Sequence, residues 1–197
     1  MAASTHRRSR LSLSVGLALA LVTGTALASD YSKVATHTTS KSADHVLGVL
    51  TAYSQTCKEG CKYKSPDIAK MVQLSHKKTA TSWYLWTWIS HSVRDVKYFS
   101  RVSLTKKPNG TVVLSSRMIT EKEEALIAEL EKASGQENKP ALDSSRAIYT
   151  IEPLEGGKTK VTQDIVVSAS GMIDMFGGAI KDGIAAATVA NVQNIEK

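Results

Sequence analysis

Two cysteines, five histidines and a scatter of carboxylates are the side chains best equipped for chemistry, and their spacing decides what they can do. The cysteines sit together in Cys57-Lys58-Glu59-Gly60-Cys61. Redox catalysis would want a Cys-x-x-Cys spacing, and a metal would want further ligands nearby. Neither is present. In an exported chain the pair reads as a structural disulfide, with Gly60 letting the chain turn back so that the bridge clips a helix end to the next segment. A loop that short stabilises by about 2 kcal/mol. His37, His45, His76 and His91 have no metal-ligand spacing, and no nucleophile elbow, phosphate loop or dinucleotide fingerprint occurs. Glu123, Glu124, Asp164 and Asp174 show no pairing as acid and base. The expectation is a binder rather than an enzyme, with no catalytic residue, metal or cofactor.

The N-terminus sets the compartment. His6-Arg7-Arg8-Ser9-Arg10 is a basic region, residues 11–24 are apolar, and Ala26-Leu27-Ala28 supplies small residues for cleavage. Residues 1–28 are expected to be a secretory signal peptide, and residues 29–197 one mature domain, periplasmic or secreted. The apolar run falls short of the about 20 residues of a membrane span. Removing the three leader arginines lowers the net charge from +7 to +4. That surplus lacks any block of like charges, so nucleic acid is not an expected partner. Transient contact with an anionic membrane stays open.

The elements that must position any site follow from periodicity. Residues 30–40 read as a first strand, and Ser42 caps a helix in which Val46, Leu50, Tyr53 and Cys57 recur at helical spacing. A short stretch around Met71 leads to an aromatic strand over residues 80–90. Residues 96–104 and 111–119 form a hairpin around Pro108-Asn109-Gly110, and residues 146–152 and 159–168 another around Gly156-Gly157. Between the hairpins, Thr120-Glu121-Lys122-Glu123 has capping-box spacing and opens a helix ending near Gly135. It reads as a surface connection, with a lid over a pocket mouth as the alternative. The resulting order, β-α-β-β-β-β-β-β-α, describes a largely antiparallel sheet with helices on one side, an α+β class.

The last 27 residues, 171–197, read as a long helix with Ile173, Phe176, Ile180, Ile184, Ala187 and Ile195 near one face. Gly177, Gly178 and Gly183 each cost about 1 kcal/mol relative to alanine. Close approach to a sheet, or to something held against it, would explain them. A terminal helix over a curved sheet with space beneath suggests a small-molecule container.

The stretch 83–116, with Val93-Arg94-Asp95-Val96 leading into a strand and Asn109-Gly110 turning the hairpin, resembles the START-related lipid-transfer domains of the helix-grip fold. So do Tyr149-Thr150-Ile151-Glu152-Pro153 with Gly156-Gly157-Lys158-Thr159-Lys160-Val161, and Ser170-Gly171-Met172-Ile173 before the closing helix. The resemblance covers most of residues 43–197. It implies a curved antiparallel sheet wrapped around a long C-terminal helix, with a hydrophobic tunnel between them. Family members bind sterols, phospholipids or other apolar ligands, and some relatives are cyclases or hydrolases. This chain departs from the pattern in lacking prolines before Arg94-Asp95 and at the start of the last helix. It also has no Asp or Glu between Asp67 and Asp95 to pair an inward Arg94, which weakens any claim for sterol.

Alternation places Trp83, Leu85, Thr87 and Ile89 on one face of the aromatic strand and Tyr84, Trp86 and Trp88 on the other. Both rows are apolar, and the sequence does not say which lines a cavity. Val96, Tyr98, Val102, Val112, Leu114 and Met118 form further apolar rows, whereas Arg117 and Arg146 read as solvated. The expected ligand-binding set is Trp86, Trp88, Arg94, Tyr98, Leu114, Met118, Met172, Phe176 and Ile180, with Arg94 or Tyr98 orienting the ligand. The expected function is an exported protein that binds or transfers a lipid or other apolar small molecule. The alternatives are a cyclase- or hydrolase-like enzyme using the same cavity, and an interaction protein acting through an aromatic surface.

Overall fold

The computed structural model describes residues 28–53, 68–90, 95–171 and 177–197. The expectations for the leader, the Cys57–Cys61 bridge, Arg94, Met172 and Phe176 lie outside the described residues.

Among the described residues, seven strands form one sheet: β1 (Ser29–Thr39), β2 (Ile68–Gln73), β3 (Ser82–Ile89), β4 (Val96–Lys106), β5 (Val112–Met118), β6 (Ser144–Pro153) and β7 (Thr159–Ala169). Every neighbouring pair is antiparallel, in the order β1-β7-β6-β5-β4-β3-β2. The α-helices among the described residues are α1 (Ala43–Thr51), α2 (Glu124–Ser134) and α3 (Gly177–Glu196). The α+β class and the curved sheet with its C-terminal helix are as the sequence leads one to expect.

Register sorts the side chains. Trp83 pairs with Val102, Leu85 with Ser100 and Thr87 with Tyr98, so these share one face. Leu114 lies opposite both Leu104 and Tyr149 on that face. There Trp83, Leu85, Val102, Leu114, Tyr149, Ile151 and Val161 pack with Val46, Val49 and Leu50 of α1 and Ile195 of α3. This is the concave face and the main core. The alternate row points the other way: Tyr84, Trp86 and Phe99 pack with Leu74, Ile119 and Leu130, the last from α2, with Trp88, Leu126 and Ile127 against them. A third cluster joins Tyr31, Ile165, Val167 and Ala169 to Ile184 of α3, with Ile180 alongside.

Helices therefore cover both faces of the sheet, not one. The reason is β3, whose apolar residues alternate to both sides and require two covers. Helix α2 buries Leu130 completely against Phe99 and Ile119 on the convex face. It is a packed layer behind the sheet, neither a surface connection nor a lid over the concave side. Its capping box forms only in half. The Glu123 carboxylate meets the Thr120 backbone N–H, but the Thr120 side chain makes no cap bond and a 3₁₀ turn, Glu121–Glu123, precedes the helix. Gly135, at φ 66°, ends it in the left-handed conformation as its sequence suggests. Ser42 does cap α1, its Oγ accepting the His45 N–H at 3.2 Å. The helix stops at Thr51, so Tyr53 lies beyond it rather than on its face.

Helix α3 lies over β1 and β7 and against α1. Gly177 explains itself: a Cβ there would come within 2.8 Å of two ring carbons of Tyr31. Gly178 faces open space. The buried residues of α3 are Ile184, Thr188, Asn191, Asn194 and Ile195, a more polar stripe than the expected row of isoleucines with Ala187. At its C-terminal end, His45 Nε2 donates to the Ile195 carbonyl at 3.1 Å, and His37 pairs with Glu196 at 2.5 Å. A histidine at a helix C-terminus also complements the dipole.

Leu130→Ala should destabilise the protein by about 2–5 kcal/mol in urea unfolding, because it removes a fully buried side chain from the convex core. A near-neutral result would mean that α2 does not hold this face. A second expectation concerns acid. Arg117 donates to both oxygens of Glu123, at 2.7 and 2.9 Å, and this hydrogen bonding holds the Glu123 carboxyl below its usual range. A carboxylate with a depressed folded pKa adds stability above its unfolded pKa, and the contribution disappears as pH falls through the folded value. Thermal scans in that acidic window should show a loss that Glu123→Gln lacks. An identical acid slope in both proteins would refute the assignment.

Candidate functional site

The site is a hollow on the concave face, between the end of α1 and the middle of the sheet. Leu50 and Tyr53 form its roof; Leu85 and Thr87 of β3, Tyr98 and Ser100 of β4, Ser116 of β5, and Ser145, Ala147 and Tyr149 of β6 line the rest. It measures about 90 Å³. Alternation brings these residues together. Thr87 pairs with Tyr98, Leu85 with Ser100 and Ser116 with Ala147 across neighbouring strands, so all project to one side. Seven of the ten lining residues carry hydroxyl groups. Among the described residues, no hydrogen bond partners the side-chain hydroxyls of Thr87, Ser100, Ser116 or Ser145, and no charged side chain lines the hollow.

Behind Tyr149 lies a buried polar cluster. The Asn191 Nδ2 of α3 donates to the Tyr149 hydroxyl and to the Gln163 Oε1, both at 3.1 Å. Gln163 Nε2 and Asn191 Oδ1 are buried without a partner among the described residues. A second, more open hollow of about 310 Å³ lies beside the same C-terminal half of α1, towards β2 and the start of β3. Its walls include Leu47, Thr51, Gln73, Lys78, Trp83 and Leu104. Both hollows border the same hydrophobic cluster, through Leu50 and Leu85 on one side and Trp83 on the other.

The expected site residues divide as follows. Tyr98 lines the smaller hollow, and Leu114 belongs to the core beside it. Met118, paired with Ser100, is buried on the same face without lining the space. Ile180 packs with the Tyr31 cluster at the β1–β7 edge, away from the hollow. Trp86 and Trp88 are corrected: they sit on the convex face under α2, and Trp86 Nε1 donates to the Glu137 carbonyl at 2.9 Å. The row of β3 that faces the hollow is the other one, with Leu85 and Thr87. Arg117 pairs with Glu123, and Arg146 with Asp164 at 3.1 Å, both at the surface. Sequence reasoning missed the serines and threonine of the hollow and the Asn191–Gln163 pair. The available signal was parity. Ser100 and Ser116 fall in step with Tyr98, Val102 and Leu114 rather than with the solvent-facing row. Among the described residues, no group of three or more potential ligands could hold a metal ion, and no helix is long and apolar enough to cross a membrane.

No protein-family model and no curated protein matches the chain. Solved structures do. A STAR-related lipid transfer protein from Xanthomonas axonopodis superposes with a TM-score of 0.60 at 15% identity, over 83% of this chain and 85% of that one. The lipid transfer and protein localization domain of human StarD13 gives 0.56 at 16%, over 84% and 77%. The Zhui aromatase/cyclase from Streptomyces sp. R1128 gives 0.57 at 13%, over 85% and 92%. At these identities the likeness is one of fold, and it agrees with the strand order and closing helix described above. The chain has the START-like helix-grip fold.

Proposed function

We propose that this protein is an exported carrier that binds or transfers a lipid or other apolar small molecule on the concave face of its sheet. The observation that carries the reading is the hollow between α1 and strands β3–β6, set in a fold shared with lipid-transfer domains. About 90 Å³ accommodates only one end of a lipid, since ligand pockets usually span about 300–1,000 Å³. The larger hollow beside Trp83 and Leu104 borders the same cluster, so a ligand reaching both would part α1 from the sheet. Binding would draw on about 25 cal/mol per Å² of buried apolar surface before the costs of association. Tyr98, on the wall of the smaller hollow, is the retained candidate for orienting the ligand. Transient membrane contact would deliver the cargo.

The enzyme alternative draws on the aromatase/cyclase among the structural neighbours. Against it, no carboxylate or histidine lines the hollow among the described residues. The reading of an exposed aromatic surface is set aside, because Tyr84 and Trp86 are buried under α2.

Native mass spectrometry of protein from the exported fraction, followed by solvent extraction, should release a stoichiometric apolar molecule. The protein mass should begin at Ser29 if cleavage follows Ala28. Ala147→Phe, which fills the smaller hollow, should cut occupancy by about tenfold or more while the melting temperature stays near that of the wild type. Full occupancy in a folded Ala147→Phe variant would place the ligand elsewhere.

A further inference from the structure

The smaller hollow is the wrong chemistry for a hydrocarbon tail, and its lining specifies what would suit it. Thr87, Ser100, Ser116 and Ser145 come from four adjacent strands and present hydroxyls without a protein partner among the described residues. Tyr53, Tyr98 and Tyr149 add three more hydroxyl-bearing side chains around the same space. A hydroxyl both donates and accepts, so this lining matches groups that do the same or that accept. The lining also excludes. With no charged residue among the described walls, a carboxylate or phosphate placed there would lose its hydration without gaining an ion pair. An alkyl chain filling the space would cover these hydroxyls and supply them no hydrogen-bond partner.

We infer that the hollow is a headgroup subsite selecting ligands with an uncharged, oxygen-bearing end, such as an alcohol, polyol ester or ketone, which enters polar end first. The inference rests on the carrier reading and names the ligand class for that site. Tyr149 links the subsite to the buried amides of Asn191 and Gln163 through its bond to Asn191 Nδ2. The polar character thus continues behind the hollow rather than ending at its wall. At about 90 Å³ the space suits a few heavy atoms, such as the glycerol of a monoester, and leaves the acyl chain to the apolar cluster around Leu50 and Leu85.

The test uses the mature protein and four probes with one common chain: hexadecane, hexadecanol, monohexadecanoylglycerol and hexadecanoate at neutral pH. Competition binding should rank the glycerol ester and the alcohol at least about tenfold above hexadecanoate, each hydrogen bond contributing about two- to tenfold. The combined Thr87→Val, Ser100→Ala and Ser116→Ala variant should lose that preference and retain hexadecane binding. Ser116→Ala alone should lose part of it. Ser103→Ala with Ser115→Ala removes two hydroxyls from the opposite face and should change nothing. Two results would remove the subsite but leave the carrier standing: hexadecanoate binding within about twofold of the alcohol, or a ranking unmoved in the hydroxyl variants. Failure of all four probes to bind would overturn both readings.

Discussion

A strand presents successive side chains to opposite faces, and β3 is apolar on both. The remainder of the architecture follows from that conflict. Trp83 and Leu85 must be covered on the concave side, and Tyr84 and Trp86 on the convex side. Each buried aromatic ring withdraws about 150–250 Å² from water, so neither row could be left exposed without a large penalty. The N-terminal and C-terminal helices take the first face. The helix between β5 and β6 takes the second, with the Arg117–Glu123 ion pair at its N-terminus. Covering the convex face with a dedicated helix frees the concave face from having to be a complete core.

The concave face uses that freedom unevenly. At the β1–β7 edge, α3 packs closely enough that a Cβ on Gly177 would collide with the Tyr31 ring. In the centre, α1 and Ile195 complete a dry core with Leu114, Ile151 and Val161. Across β3–β6, towards Thr87 and Ser145, hydroxyls replace hydrocarbon and the packing opens into the hollow. The three zones follow the register of a single sheet. Parity along the strands decides which residues reach the concave side, and helix position decides which of them are sealed.

Much of the fold was legible in the sequence because turn chemistry and period are local. Asn109-Gly110 and Gly156-Gly157 marked two hairpins, Ser42 marked the start of α1, and Gly135 the end of α2. The site was less legible because face assignment is a tertiary property. A strand apolar on both faces carries no mark of which row turns inward, so Trp86 and Trp88 looked as suitable as Leu85 and Thr87. Tryptophan drew attention through size, whereas the lining is made largely of serine, threonine and tyrosine. Helix α2 misled for a related reason. Its narrow stripe of Leu126, Leu130 and Ala133 resembles that of a surface helix until an aromatic row is found for Leu126, Ile127 and Leu130 to cover.

The interior polar groups argue that the concave face is not tuned for stability alone. A helix docked on a sheet is held most economically by apolar residues, yet the stripe of α3 carries Thr188, Asn191 and Asn194 between its isoleucines. Asn191 donates to Tyr149 and Gln163, and among the described residues its own carbonyl and the Gln163 N–H have no partner. Each buried unpartnered group costs about 1–3 kcal/mol. Apolar replacements of similar shape would be neutral or better for folding. The hydroxyls of Thr87, Ser100, Ser116 and Ser145 in the adjoining hollow add polar groups on the sheet side of the same interface. A fold that concentrates such groups where helix meets sheet has an interior that gains from a partner supplying hydrogen bonds. Such a partner binds the folded state alone, and stabilises it by mass action. The polarity at this interface is therefore the same polarity by which a ligand would be selected.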